Sequence, residues 1–241
     1  MNQSLRIDVF CDSADLSVMR GIVEQYPFVS GWTSNPSICR RCGVSDYRQF
    51  VSDALNKLPA LPLSVEVIAD DEAEMRRQAH LLATMAKNCN RQETLYVKIP
   101  IVNSCGQSMA PLIHELSNDG IQINATAILS WSSVCHAANA LHDGAPSYLS
   151  VFVGRLADSG VEPLEEMPRY INRIHKSTRA IWASPREPLN VLQAQRLDFD
   201  VITVFHEFIK KLHIFGKEPG VFEVETATMF YQDAKSSGFT L

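Results

Sequence analysis

The constraint that dominates this chain is an alternation. Eight short apolar, β-branched stretches recur along it: IDVFC (7–11), SGWT (30–33), SVEVIA (64–69), TLYVKI (94–99), IQINATA (121–127), SYLSVFV (147–153), RAIWA (179–183) and DVITVF (200–205). Longer helical patterns separate them. Residues 71–87 place Met75, Ala79, Leu82 and Ala86 at helical spacing, with Asp70 or Asp71 positioned to cap the run. Gly120 and Gly144 stand where helices would end. Strand and helix alternating eight times predict an α/β fold, a (β/α)8 TIM barrel. The rival architecture is an open doubly wound sheet, but no G-x-G-x-x-G turn follows the first strand. The 241 residues, 46% hydrophobic, suffice for one core and are read as a single domain, 1–241. Within it, about 221–238 form a C-terminal helix that would cover the barrel or reach a neighbouring subunit.

Charge and cysteine usage exclude several function classes. The net charge is −5 and no basic stripe is visible, which argues against nucleic acid and anionic membrane as partners. The opening residues carry no secretory pattern and no apolar run is long enough to span a bilayer, so the chain is expected in the cytoplasm. Its six cysteines are then expected as reduced thiols. Cys39 and Cys42 form a lone C-x-x-C, CRRC, without the further ligands a zinc site needs. The seven histidines are scattered, and none is read as a ligand.

Side-chain parity carries the functional signal. Alternate strand residues face opposite sides, and in a barrel one parity faces the axis. In SVEVIA, Val65 and Val67 face helices and Glu66 faces inward. In TLYVKI, Leu95, Val97 and Ile99 face outward and Lys98 inward. Ile7, Val9 and Cys11 share one face, Asp8 and Asp12 the other. Ile121, Ile123, Ala125 and Ala127 are assigned to the helices, leaving Gln122, Asn124 and Thr126 for the axis. These polar groups lie mostly near the C-terminal strand ends, where barrel active sites form. A polar core of paired charges is the plainer reading. Several hydrogen-bonding groups converging with a lysine weigh against it, because each is costly to bury unless satisfied.

Burial disfavours the charged form of an amine, and neutral lysine forms a Schiff base with a carbonyl substrate. The resulting iminium accepts the electron pair released when the bond between the α and β carbons breaks. That step needs an acid/base, for which Asp12 or Glu66 qualifies, Glu66 through a water held by Thr126. Two late strands supply phosphate-binding groups: Ser150 and Arg155 in SVFVGR, Ser184 and Arg186 in ASPRE.

Taken together, these motifs resemble the transaldolase family, near its short members that include the fructose-6-phosphate aldolases. FCDSAD with Asp12 resembles the family's D-T/S-A motif. TSNPS, with Thr33, Asn35 and Ser37, resembles T-T-N-P-S. SVEVIA with Glu66 and VKIP with Lys98 resemble its carboxylate and Schiff-base strands. INATAILS, with Asn124 and Thr126, resembles N-V/A-T. SVFVGR, with Ser150, Phe152 and Arg155, resembles S-P-F-V-G-R, and ASPRE resembles A-S-x-R. The resemblance covers nearly the whole chain in order. It implies sugar-phosphate substrates, carbohydrate metabolism of the pentose phosphate type, and no metal or organic cofactor. A dihydroxyacetone unit would be held on Lys98. Asp12 would handle the donor hydroxyl proton, and Glu66 and Thr126 a proton-relaying water. Asn35 and Asn124 would hold the three-carbon unit, and Arg155, Ser184 and Arg186 the phosphate. Short members often assemble through the C-terminal helix, which implies a homo-oligomer.

Aldolase-type members tend to carry Gln where Glu66 stands and Tyr where Phe152 stands. The transaldolase-like choice at both positions points to a transferase moving a dihydroxyacetone unit between sugar phosphates. The alternatives are a fructose-6-phosphate aldolase-like lyase or specialised ketose aldolase, and a non-catalytic sugar-phosphate-binding barrel. Departures from the family pattern fall at Trp32, Ser34, Val151, Pro185 and Phe205, in a longer stretch after Lys98, and in the tail.

Overall fold

The computed structural model describes residues 5–163, 165–174 and 176–240. Eight parallel strands close a barrel in chain order, which settles the fold against the open sheet. They are β1 (Asp8–Asp12), β2 (Val29–Thr33), β3 (Leu63–Glu66), β4 (Leu95–Pro100), β5 (Ile123–Ile128), β6 (Ser147–Val151), β7 (Thr178–Trp182) and β8 (Val201–Val204). Helix α1 (Leu16–Gln25) follows β1, and α2 (Pro36–Arg41) and α3 (Tyr47–Lys57) follow β2. Next come α4 (Glu72–Asn88), α5 (Ala110–Asn118) and α6 (Trp131–Ala140), one after each of β3, β4 and β5. Helices α7 (Val153–Asp158) and α8 (Glu166–Ile174) follow β6, and α9 (Asn190–Arg196) follows β7. Finally, α10 (His206–Lys211) and α11 (Pro219–Ser237) follow β8.

The helix-facing parity builds the main core. Val9, Cys11, Val65, Leu95, Val97, Ile99, Ile123 and Ala125 all lie in one buried cluster with the inner faces of the helices. Helix α4 contributes Met75, Ala79, Leu82 and Ala86, the four residues its spacing predicts. Its cap is Asp71, which accepts from the Glu74 amide. Asp70 instead accepts from the Ser104 amide and hydroxyl, at 2.8 and 2.6 Å. It thereby anchors the extra residues after β4, which fold back through a Val102–Ser108 bridge.

A second, smaller cluster fills the barrel axis at its lower end: Phe10, Tyr96, Tyr148, Ile181 and Val201. Phe10 meets Tyr148 edge-on, with ring centroids 5.7 Å apart. Gly31 is required here, since a Cβ at that position would lie 2.7 Å from the Phe10 ring. Below this plug Arg179 pairs with Asp8 at 2.7 Å. The axis is therefore closed at the floor, and the polar inward residues are left to line the C-terminal end.

Trp32 faces outward into the core, where its indole N–H donates to the Met19 carbonyl at 3.1 Å. Val151 is buried on the same side of the barrel wall. Neither of these departures from the family pattern touches the barrel mouth.

Parity fails at one predicted position. The β5–β6 register runs from Ala125 opposite Leu149 to Ile128 opposite Val151, so β5 carries one extra residue there. Ala127 takes up the bulge with a positive φ of 58°. It turns from the helices to the cavity, and Ile128 takes the core position instead.

Candidate active site

A cavity of about 550 Å³ opens at the C-terminal end of the barrel. Lys98 reaches it from β4 and is only 4% exposed. Its Nζ lies 3.1 Å from Glu66 Oε2 and donates to the Ser34 carbonyl at 2.9 Å. The pairing follows from register, since Glu66 and Lys98 are direct neighbours across β3 and β4. Glu66 is held from behind, where the Tyr47 hydroxyl donates to its carbonyl at 2.5 Å.

Asp12 closes the other side. The Thr33 hydroxyl donates to Asp12 Oδ1 at 2.7 Å and also contacts the Thr203 hydroxyl. Burial pushes the Asp12 carboxyl up to about 6, against the lowering pull of the Lys98 charge and the Thr33 hydrogen bond. An aspartate poised there exchanges protons near neutrality, which suits general acid/base work.

Of the thirteen residues the sequence singles out, ten line the cavity: Asp12, Thr33, Asn35, Ser37, Glu66, Lys98, Ser150, Phe152, Arg155 and Ser184. Asn35 caps α2 by accepting from the Ile38 amide at 2.9 Å, which leaves its N–H groups for a ligand. Asn124 does not reach the cavity. Its amide donates to Ser64 Oγ and its oxygen accepts from Ser150 Oγ, so it holds Ser150 in place from beneath. Thr126 is 1% exposed, and its Oγ1 has no hydrogen-bond partner in the protein. Arg186 is also turned away. Its guanidinium forms a two-pronged ion pair with Asp158 and donates to Ser184 Oγ at 2.8 Å. That pair holds the Asp158 carboxyl below the usual carboxylate range.

Close backbone packing sets the Ser184 side. Ser184 has a positive φ of 62°, and a Cβ on Gly154 would lie 1.5 Å from the Ser184 carbonyl oxygen. Only glycine lets the start of α7 approach the segment after β7 this closely.

Several cavity residues escape the sequence reading. Thr203 and Phe205 share the inward parity of Val201 on DVITVF, a signal the sequence offers. Arg40 and Arg41, inside CRRC, also line the cavity. The flanking Cys39 is buried, and burial pushes its thiol up to about 11, so it stays protonated at neutral pH. No group of three or more His, Cys, Asp and Glu that could hold a metal ion occurs among the described residues.

The sequence also matches known proteins. The family model described as transaldolase/fructose-6-phosphate aldolase matches residues 9–239. The chain belongs to this family. Among its relatives is a probable transaldolase of Thermoanaerobacter sp. (strain X514), 32% identical over 84% of this chain and 88% of that protein. Another, from Methanococcus maripaludis (strain C5), is 31% identical over the same shares. Among solved structures, the Amycolatopsis orientalis BexX/CysO complex contains a chain of the same fold, with TM-score 0.55 and 13% identity. No helix among the described residues is long and apolar enough to cross a membrane.

Proposed function

We propose that this family member is a transaldolase-type transferase that moves a dihydroxyacetone unit between sugar phosphates through an imine on Lys98. The observation that carries this reading is a buried lysine amine held between Glu66 and the Ser34 carbonyl, with Asp12 across the same cavity. Lys98 Nζ would add to the ketose carbonyl, and loss of water would give the iminium. Asp12 would take the proton from the hydroxyl on the β carbon. The α–β bond then breaks, its electron pair goes into the enamine, and an aldose leaves. The enamine attacks the acceptor aldehyde, Asp12 returns the proton, and hydrolysis frees Lys98. A water between Glu66 and the unpartnered Thr126 hydroxyl would relay protons during imine formation and satisfy that hydroxyl.

The phosphate would meet Arg155 and Ser184 directly. Arg186 would act through Ser184, whose hydroxyl it already contacts. Asn124 would likewise act through Ser150. Phe152 favours transfer over release of free dihydroxyacetone, because a phenyl ring cannot supply a proton to the enamine.

Borohydride reduction in the presence of fructose 6-phosphate, followed by peptide mass spectrometry, tests the chemistry. An adduct on Lys98 that disappears in Lys98→Ala is expected. Absence of an adduct with every ketose phosphate tried would leave a sugar-phosphate-binding barrel. Adding erythrose 4-phosphate then separates transfer from lysis: equal product without an acceptor would make this a lyase.

We also infer that copies associate through α11. None of its residues is buried in the single chain, and Val224, Phe230 and Tyr231 are 67%, 62% and 69% exposed. Phe230→Glu is expected to shift the sedimentation coefficient toward that of a monomer. An unchanged coefficient would rule out this face.

A further inference from the structure

Arg40 and Arg41 line the same cavity as Lys98, and the reaction above gives neither a substrate contact, although the Arg41 charge helps to lower the Asp12 carboxyl. Among the described residues neither makes an ion pair, in contrast to Arg186, which Asp158 neutralises. The Arg41 guanidinium carbon lies 4.8 Å from the centroid of the Phe205 ring. Stacking of this kind fixes the plane of the guanidinium and leaves its edge N–H donors free for an oxyanion. Phe205 is itself one of the departures from the family resemblance, and it supplies the aromatic face against which Arg41 lies.

The two cationic groups sit on opposite sides of the mouth. In the closed order β2 and β6 are four strands apart, so they face each other across the axis. Arg40 and Arg41 come from the helix after β2, and Arg155 from the helix after β6. Lys98, on β4, lies midway between them. One guanidinium side would suffice for a ketose monophosphate.

We propose that Arg40, Arg41 and Phe205 form a second oxyanion subsite, and that the cavity takes a ketose carrying a phosphate at each end. This rests on the imine chemistry above, since Lys98 fixes the carbonyl between the two subsites, and it amends the group transferred: the three-carbon unit left on Lys98 by such a donor is dihydroxyacetone phosphate. A phosphate dianion across from Arg155 would draw paired N–H donors from Arg41, with Arg40 adding charge at the rim.

The test compares two probes, fructose 1,6-bisphosphate and fructose 6-phosphate, by borohydride trapping on Lys98 over a range of concentrations. Wild type is expected to half-saturate at lower bisphosphate than monophosphate. Arg41→Met is expected to shrink that preference about tenfold or more, as loss of a charged hydrogen bond implies, and Arg41→Lys to keep part of it. Labelling by both ketoses with no preference in wild type, or equal weakening of both in Arg41→Met, would overturn the subsite while leaving the imine chemistry standing. Labelling by neither would overturn the imine reading. Calorimetric titration with inorganic phosphate then decides the subsite independently. Two phosphates per chain, reduced to one in the Arg40→Gln/Arg41→Gln variant, support it. A single phosphate lost only in Arg155→Gln refutes it.

Discussion

Replacing Asp12 with asparagine separates what the site needs from what the fold prefers. The carboxyl is pushed from its ordinary 3.8 up to about 6, first by burial. Between those values the native protein binds more protons at Asp12 than the unfolded chain does. Stability therefore falls as pH rises through that window and is lower by the full amount above about pH 6. The gap corresponds to roughly 3 kcal/mol of destabilisation carried at neutral pH by the ionised group. Asparagine keeps an oxygen that can accept from Thr33 and removes the buried charge. Asp12→Asn should thus match wild type in stability near pH 4, gain on it as pH rises, and level off above pH 6. Urea unfolding at a series of pH values between about 4.5 and 7.5 reads this directly. Turnover should fall sharply at every pH, because asparagine cannot exchange the proton. A stability difference that does not vary with pH, or an asparagine variant less stable than wild type at pH 7.5, would refute the reasoning. So would a variant that retains turnover.

The same logic extends to neighbouring sites. Lys98→Met leaves Glu66 without its partner and should destabilise by about 3 kcal/mol, the lower end for a broken buried pair because the Glu66 side chain keeps 15% exposure. Adding Glu66→Gln should restore most of that loss in a urea double-mutant cycle. Gly154→Ala, with its Cβ driven against the Ser184 carbonyl, should destabilise by about 1–3 kcal/mol and raise the KM of phosphorylated donors more than it lowers kcat. Trp32→Phe should destabilise by about 1–2 kcal/mol, since the smaller ring loses the hydrogen bond to the Met19 carbonyl and leaves unfilled volume in the core, with kcat unchanged.

The eight strands and their inward residues were legible because a period of two repeats cleanly in short apolar runs. Lys98 and Glu66 stand out in such runs, and the barrel makes them neighbours. The bulge at Ala127 was not legible, because an inserted residue leaves no mark on hydrophobicity and is visible only as a slip against β6. Asn124 and Arg186 were read as ligand contacts from residue type and strand position. Their hydrogen bonds to Ser150 and Asp158 depend on neighbours in other elements, β6 and α7, which no local pattern encodes. Arg40 and Arg41 were masked by the cysteines around them. The C-x-x-C drew attention to sulfur, whereas the geometry puts the guanidinium groups at the mouth. Thr203 could have been found, because it interrupts an apolar strand just as Lys98 does.

The aromatic plug under the site has a consequence for traffic. With Phe10, Tyr96 and Tyr148 filling the axis, the cavity has a doorway only on the side away from them. If the chain is the transferase proposed above, a leaving aldose and an incoming one share that passage. On that reading turnover is a queue, in which the first product clears before the second reactant docks on the same lysine. Double-reciprocal plots at several acceptor concentrations should therefore run parallel rather than converge.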